Sequence, residues 1–151
     1  YGEFLLRAYQ DKATQSAHLA LIKGQINAEQ ETLVRVHEPF SVTDLLDNQS
    51  PHSWDLPSAM QYLQTQECGV LLLLHRTETG QDLMQRLFPR VRPNNKWDTR
   101  TYGIRAQILK DIGVGKMRIL SRPNKMPSMT GFGLEITGFV NKSDIIFQGE
   151  A

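Results

Sequence analysis

Acidic and imidazole side chains cluster in one polar, turn-rich stretch, LVRVHEPFSVTDLLDNQSPHSWD, which covers residues 33–55. The side chains here that could ligate a metal are His37, Glu38, Asp44, Asp47, His52 and Asp55. Imidazole and carboxylate groups both bind zinc. No pair among them has the fixed spacing that makes a metal site specific, such as two histidines one helical turn apart. A metal site and an ordinary solvated loop are the two interpretations, and the pattern favours the loop.

A second group of residues is positively charged. Between residues 86 and 105 the only acid is Asp98, and the bases are Arg86, Arg90, Arg92, Lys96, Arg100 and Arg105. This stretch could bind a phosphorylated ligand or an acidic partner, or single-stranded nucleic acid through Trp97 and Tyr102, or be an ordinary solvated face. Capping of the following helix is the simplest role for Asp98. Because the net charge is only +1, we expect no nucleic-acid or membrane partner.

The elements that position these residues begin with three predicted strands, EFLLRAYQD, HLALIKGQI and LVRVHEPF, separated by two connections that suit hairpins. A helical stripe of Leu56, Met60, Leu63 and Glu67 follows and should end at Gly69. The continuous apolar run VLLLLHR then predicts a central strand that is buried on both faces. Cys68, which is the only cysteine, stands just before this strand and is expected to be a small core residue.

The second half of the chain alternates helices and strands. TGQDLMQRLFP predicts a short helix, and TRTYGIRAQILKDIGV a longer one with Gly113 as its C-cap. KMRILS and MTGFGLEITGFV predict further strands, so the second half has a βαβ-type layer arrangement. A chain of 151 residues suits one domain, which we place at residues 1–140 with a tail at 141–151. Without a signal sequence or an apolar membrane span, a cytoplasmic location is expected.

Three segments together resemble GTP cyclohydrolase II, the enzyme that opens the imidazole ring of GTP in riboflavin synthesis. They are HLALIKG with LVRVHE, then GVLLLLHR, then DTRTYGIRAQILKDIGVGKMRILS with GFGLEI. The resemblance implies an α/β fold, a three-layer sandwich around a mixed sheet, and a homodimer. The family domain is often fused behind a 3,4-dihydroxy-2-butanone 4-phosphate synthase domain. We therefore expect this chain to be the C-terminal part of a longer, bifunctional-type protein.

The resemblance also identifies where a zinc ion would be held. The family uses three cysteines after its Arg-Val-His signature, and zinc lowers the pKa of a bound water so that hydroxide can attack the ring. Counted from Arg35-Val36-His37, these positions fall on Phe40, Pro51 and Ser53. None of them supplies a thiolate, so the zinc site is expected to be lost. No cofactor is expected for this domain, and magnesium is an expectation only for the parent protein.

The remaining family motifs are partly kept. Asp98 and Arg100 preserve the spacing of the family's proposed general base and its nucleophile towards the α-phosphate. Arg35, Arg76, Ser121 and Lys125 stand where the family contacts phosphate or nucleotide. Thr77 replaces the glutamate that reads guanine, and most of a family segment that carries a tyrosine is absent. We expect Asp98 and Arg100 to be vestigial.

These losses predict a degenerate, non-catalytic module of a riboflavin biosynthesis protein, with a structural, dimerising or regulatory role. Its expected partners are a second copy, the fused synthase domain and other enzymes of the pathway. One alternative is an active or altered nucleotide hydrolase that uses Asp98 and Arg100. Another is a domain that binds a nucleotide or a flavin without turnover.

Overall fold

The computed structural model describes residues 2–37, 54–75, 80–87, 99–123 and 128–145. The strands in these residues are β1 (Leu5–Gln10), β2 (Ala17–Lys23), β3 (Glu31–His37), β4 (Gly69–Leu73), β5 (Lys116–Leu120) and β6 (Glu135–Val140). The α-helices are α1 (Leu56–Gln64), α2 (Gly80–Leu87) and α3 (Thr99–Ile112). Short 3-10 turns lie at Thr130–Phe132 and Lys142–Asp144. None of the helices in these ranges has the length and apolar character to cross a bilayer.

The described strands form one mixed sheet in the order β1-β2-β4-β3-β5-β6. Strand β2 pairs antiparallel with both β1 and β4, whereas β4, β3, β5 and β6 run parallel to one another. The first predicted hairpin is therefore confirmed, but the second is wrong, because β4 lies between β2 and β3. Strand β3 is almost wholly buried. It pairs in parallel with β4, and helix α1 lies in the chain between these two strands.

The predicted central strand is confirmed. All five residues of β4 are buried, and both of its edges are paired, with β2 on one side and β3 on the other. An apolar run without alternation is what a strand covered on both faces requires. Strand β1 is the opposite case, because it is an edge strand on which Leu5 and Leu6 are largely exposed.

Helix α1 is shorter than its apolar stripe. It ends at Gln64, before Glu67, so the predicted end at Gly69 is wrong. Gly69 is instead the first residue of β4. A Cβ atom there would lie 2.5 Å from Leu63 Cδ2, so glycine allows the helix to approach the strand closely. Cys68 is a free, half-buried cysteine directly before β4.

Helix α3 ends as predicted, because Gly113 follows its last residue with φ of 104°, a backbone conformation that favours glycine. The apolar face of α3, including Ala106 and Leu109, packs on one face of the sheet beside Val34 and Met117. On the opposite face, Ala59 and Leu63 of α1 pack against other strand residues. Helix, sheet and helix thus form three layers, which confirms the expected α/β sandwich.

Candidate functional site

The carboxyl ends of the parallel strands β3, β4 and β5 meet at one edge of the sheet. Ligands of open α/β sheets bind outside such edges. Arg35 lies near the end of β3, His75 shortly follows β4, and Ser121 directly follows β5. The fold therefore brings two of the predicted ligand-binding residues, Arg35 and Ser121, to the same edge.

Arg35 is buried, with 6% of its surface exposed. Its Nη1 donates to the Leu120 carbonyl and its Nη2 to the Trp54 carbonyl, each over 2.9 Å. Both acceptors are main-chain groups at the ends of neighbouring segments. The guanidinium therefore holds protein backbone where the resemblance placed a phosphate ligand.

His37 does not behave as a solvated loop residue, which corrects that interpretation of the opening stretch. It is the last residue of β3, and only 1% of its surface is exposed. Side chains alternate between the two faces of a strand, so His37 lies on the same face as Leu33 and Arg35. Leu33 belongs to the apolar cluster around α1, and His37 is therefore part of that layer.

Ser121 lines a cavity of about 140 Å³ on the α3 face of the sheet. Its hydroxyl donates to the Arg122 carbonyl over 2.6 Å. The described lining is mostly apolar and consists of Val34, Arg35, Val36, Tyr102, Arg105, Leu109, Met117, Ile119, Ser121 and Met129. The cavity lies at the edge where the family resemblance placed the nucleotide, and it carries few polar groups.

Tyr102 and Arg105 reach this cavity from adjacent positions on one face of α3. Burial raises the pKa of the Tyr102 phenol, although the Arg105 charge opposes this. Tyr102 is therefore neutral at physiological pH and is no general base there. Met129, which also lines the cavity, was missed by the sequence analysis, because its turn has no periodicity that points to a site.

A second, wider depression of about 460 Å³ lies on the other side of α3. Its α3 residues are Ile104, Gln107 and Ile108, and the β1–β2 turn forms its opposite wall. His18 also lines it, and its Nδ1 accepts a hydrogen bond from the His75 N–H over 3.1 Å. This bond fastens the start of β2 to the residue that precedes Arg76.

Most other predicted site residues lie outside the described residues. They are Asp98, Arg76, Lys125 and the three zinc-ligand positions Phe40, Pro51 and Ser53. The backbone of Arg100 belongs to the first turn of α3, but its side chain is not described. The pairing of Asp98 with Arg100 and the contacts of Arg76 and Lys125 therefore stay predictions.

At this edge, the sequence analysis gave Trp54 no role and considered Asp55 only as a possible metal ligand. Trp54 is completely buried, and its Nε1 donates to the Val140 carbonyl over 2.9 Å. Asp55 caps α1 by accepting from the Ser58 N–H, and it forms an ion pair with Lys142. Burial raises the pKa of the Asp55 carboxyl, but the hydrogen bonds from Lys142 and Ser58 outweigh it, so the pKa lies below its ordinary value of 3.8.

A metal ion finds no suitable set of ligands in the part of the chain that the structure describes, since no three His, Cys, Asp or Glu residues come together there. At the three positions that the resemblance assigns to zinc ligands, the donor chemistry is equally unfavourable. Phe40 and Pro51 have no donor side chain, and a neutral serine hydroxyl such as that of Ser53 is a poor ligand for zinc. These residue types do not fit a zinc ion.

Comparison with known proteins identifies close relatives. The 3,4-dihydroxy-2-butanone 4-phosphate synthase of Neisseria meningitidis serogroup B is 49% identical over 140 residues, covering 92% of this chain and 39% of that protein. The protein of the same name from Pseudomonas aeruginosa is 38% identical over 144 residues, covering 92% and 40%. The riboflavin biosynthesis protein RibBA of Chlorobium phaeovibrioides is 36% identical over 151 residues, covering 90% and 37%. The chain thus spans about two fifths of the length of these curated relatives.

The family itself is identified by a direct match. The model of the GTP cyclohydrolase II family matches residues 1–141. This range includes every described strand and α-helix, and the mixed three-layer sandwich agrees with the match. The chain belongs to the GTP cyclohydrolase II family.

Proposed function

We propose that this chain is a non-catalytic GTP cyclohydrolase II-like domain in a riboflavin biosynthesis protein that also carries a 3,4-dihydroxy-2-butanone 4-phosphate synthase. The relatives with that printed name support the fusion, since each is much longer than this chain. In this proposal the parent protein acts as the synthase in the cytoplasm. The domain described above serves a structural, dimerising or regulatory role beside it.

The observation that carries this proposal is the residue set at the three zinc positions. Attack on the ring carbon of GTP at neutral pH requires an activated water, and a metal supplies it by lowering the pKa of that water. Phe40, Pro51 and Ser53 offer no thiolate to hold such a metal. Without it, water near its ordinary pKa is too poor a nucleophile for the reaction.

The geometry of the described edge supports the same conclusion. Arg35 donates to the Leu120 and Trp54 carbonyls, so both terminal nitrogens of its guanidinium are bonded to main-chain groups of the protein. The cavity beside Ser121 has a volume of about 140 Å³, whereas ligand pockets usually measure about 300–1,000 Å³. The cavity that the described residues form at this edge is therefore smaller than a usual ligand pocket.

The test is formate release from GTP by the purified protein with added zinc. A heat-killed sample is the negative control, and a GTP cyclohydrolase II that keeps the three cysteines is the positive control. We expect no formate above the heat-killed control. Zinc-dependent formate release would overturn the proposal.

Binding of a nucleotide or flavin without turnover is a second candidate. It is favoured by the position of Arg105 at the cavity, because a guanidinium can donate to phosphate. Calorimetric titration with GTP, GDP, FMN and riboflavin tests it. No heat at millimolar ligand would exclude this candidate and leave the purely structural role.

A further inference from the structure

Strand β1 (Leu5–Gln10) lies at one end of the described sheet and pairs there with β2 alone. Its outer edge therefore presents main-chain N–H and C=O groups that no strand of the described sheet binds. Natural proteins protect such edges with lysine, proline or a bulge, because a free edge readily pairs with another chain. Strand β1 contains neither lysine nor proline, and its register with β2 is continuous. This edge is thus open to a further strand.

Two leucines of β1 are exposed on opposite faces of the sheet. Leu5 lies opposite Ile22, which belongs to the core under α3, and Leu6 lies opposite Leu21, which packs against the cluster under α1. The exposed fraction is 59% for Leu5 and 57% for Leu6. A helix packed on one face would cover only one of them. A strand added at the edge brings side chains onto both faces, so it covers both leucines.

The residues from Glu3 to Arg7 read Glu-Phe-Leu-Leu-Arg, an order that is complementary to itself in the antiparallel direction. When two copies pair about a two-fold axis at Leu5, Leu5 lies opposite Leu5, Phe4 opposite Leu6, and Glu3 opposite Arg7. Each pair joins residues of one face, as the alternation of side chains along a strand requires. Opposite charges and apolar side chains that face each other across two strands stabilise the pairing.

Contacts with both helices hold this segment in place. Before β1, the Glu3 carbonyl accepts from Gln64 Nε2 at the end of α1 over 3.2 Å. Within β1, the Tyr9 hydroxyl donates to Asp111 of α3 over 2.7 Å. The side chain of Arg7 is 46% exposed and lies 4.0 Å from the Asp111 carboxylate, so a second carboxylate can reach it from outside. Because the segment is already ordered, pairing with another strand costs little further conformational entropy.

We propose that the outer edge of β1 is the docking surface for a second copy of this chain, with the two β1 strands antiparallel about a two-fold axis at Leu5. A second copy fits better than another partner, because residues 3–7 are complementary to themselves in charge and in apolar character. The inference rests on the dimerising role within the proposed function and names the surface for it. Since the contact is one short strand, we expect a dissociation constant of about 10–100 μM.

The first test measures the mass of the purified chain by light scattering from about 1 μM to about 200 μM. We expect monomers at the lower end, where unfolding measurements therefore refer to separate copies, and dimers at the upper end. Glu3→Arg places like charges opposite Arg7 and should weaken association about tenfold. Glu29→Arg is the matched control, because it makes the same charge change on an exposed residue between β2 and β3. It should leave association unchanged.

Leu5→Cys tests the register. Opposed Cα atoms of an antiparallel pair lie about 4.5–5.5 Å apart, which a disulfide can span. Oxidation with diamide should therefore link two Leu5→Cys copies covalently, and this readout remains informative if Glu3→Arg does not fold. Ala8→Cys is the control, because Ala8 is exposed on the same strand but its two copies lie about 20 Å apart in this register. Wild type corrects for Cys68, which is the only native cysteine.

A chain that stays monomeric at about 200 μM would overturn the second copy as the occupant and leave the edge to another part of the parent protein. A dimer that forms equally in Glu3→Arg, or that links as readily through Ala8→Cys as through Leu5→Cys, would overturn this pairing. Formate release from GTP would contradict only the non-catalytic role, whereas a monomer would contradict only the docking surface. The two failures are therefore distinguishable.

Discussion

The Tyr9 hydroxyl donates a hydrogen bond to the Asp111 carboxylate over 2.7 Å, and this bond joins the edge strand β1 to the last turn of α3. Arg7, on the same strand, lies 4.0 Å from the same carboxylate. Strand β1 has β2 as its only strand partner in the described sheet. The contact with α3 is therefore a main attachment of this edge.

Tyr9→Phe is expected to lower the free energy of unfolding by about 0.5 kcal/mol at pH 8, because the bond is partly exposed to water. Burial, followed by the hydrogen bond to Asp111, holds the pKa of the Tyr9 phenol above its ordinary value of 10.0, although Arg7 lowers it. The folded protein thus favours the protonated phenol, and this stability is lost as the pH rises above 10. Urea unfolding should show the difference between wild type and Tyr9→Phe shrinking there, and a constant difference would contradict this.

Asp55→Ala is expected to destabilise the protein by about 1 kcal/mol at pH 7, because α1 loses its N-cap. Asp55→Asn is the matched control, since asparagine still caps a helix but cannot pair with Lys142. The carboxyl has a pKa below 3.8 in the folded protein, so its contribution is present above that pH and is lost as the pH falls through the folded value. Unfolding curves should show wild type and Asp55→Asn converging in acid; parallel curves would argue against the ion pair.

Leu71→Ala in β4 is expected to cost about 3 kcal/mol, because Leu71 is wholly buried in the cluster under α1 and truncation leaves a cavity. Leu6→Ala is its control. Leu6 lies on the same sheet but is 57% exposed, so its truncation should change stability by less than about 0.5 kcal/mol. Chemical denaturation of both variants measures the contrast, and equal effects would contradict the layer arrangement.

The triple variant Phe40→Cys, Pro51→Cys and Ser53→Cys is expected to bind zinc, since it places a thiolate at each position that the resemblance assigns to a zinc ligand. The double variant that keeps Ser53 is the control and should bind zinc much more weakly. Elemental analysis after dialysis measures the metal content. Formate release from GTP should remain absent, because Thr77 stands where the resemblance places the glutamate that reads guanine. Equal zinc in wild type and triple variant would contradict this prediction.

Much of the local structure could be predicted from the residues alone. The apolar run predicted β4, the spacing of apolar residues predicted α3, and Gly113 predicted the end of α3. These patterns are local, because each involves residues that are close together in the chain. The order of the strands could not be predicted in the same way. The connections β1–β2 and β2–β3 both looked like hairpins in the sequence. The tertiary structure shows that β4 pairs with both β2 and β3 and separates them.

For the candidate site, the chemistry of each residue could be read from the sequence, whereas the contacts between distant residues could not. The sequence by itself determined that Phe40, Pro51 and Ser53 supply no thiolate, because donor chemistry belongs to the residue and no fold can add it. Only the tertiary structure decided what Arg35 binds. Its acceptors, the carbonyls of Trp54 and Leu120, lie 19 and 85 residues away along the chain. Folding alone brings them within hydrogen-bonding distance, and the arginine for which the resemblance implied a phosphate contact donates to main-chain carbonyls in this structure.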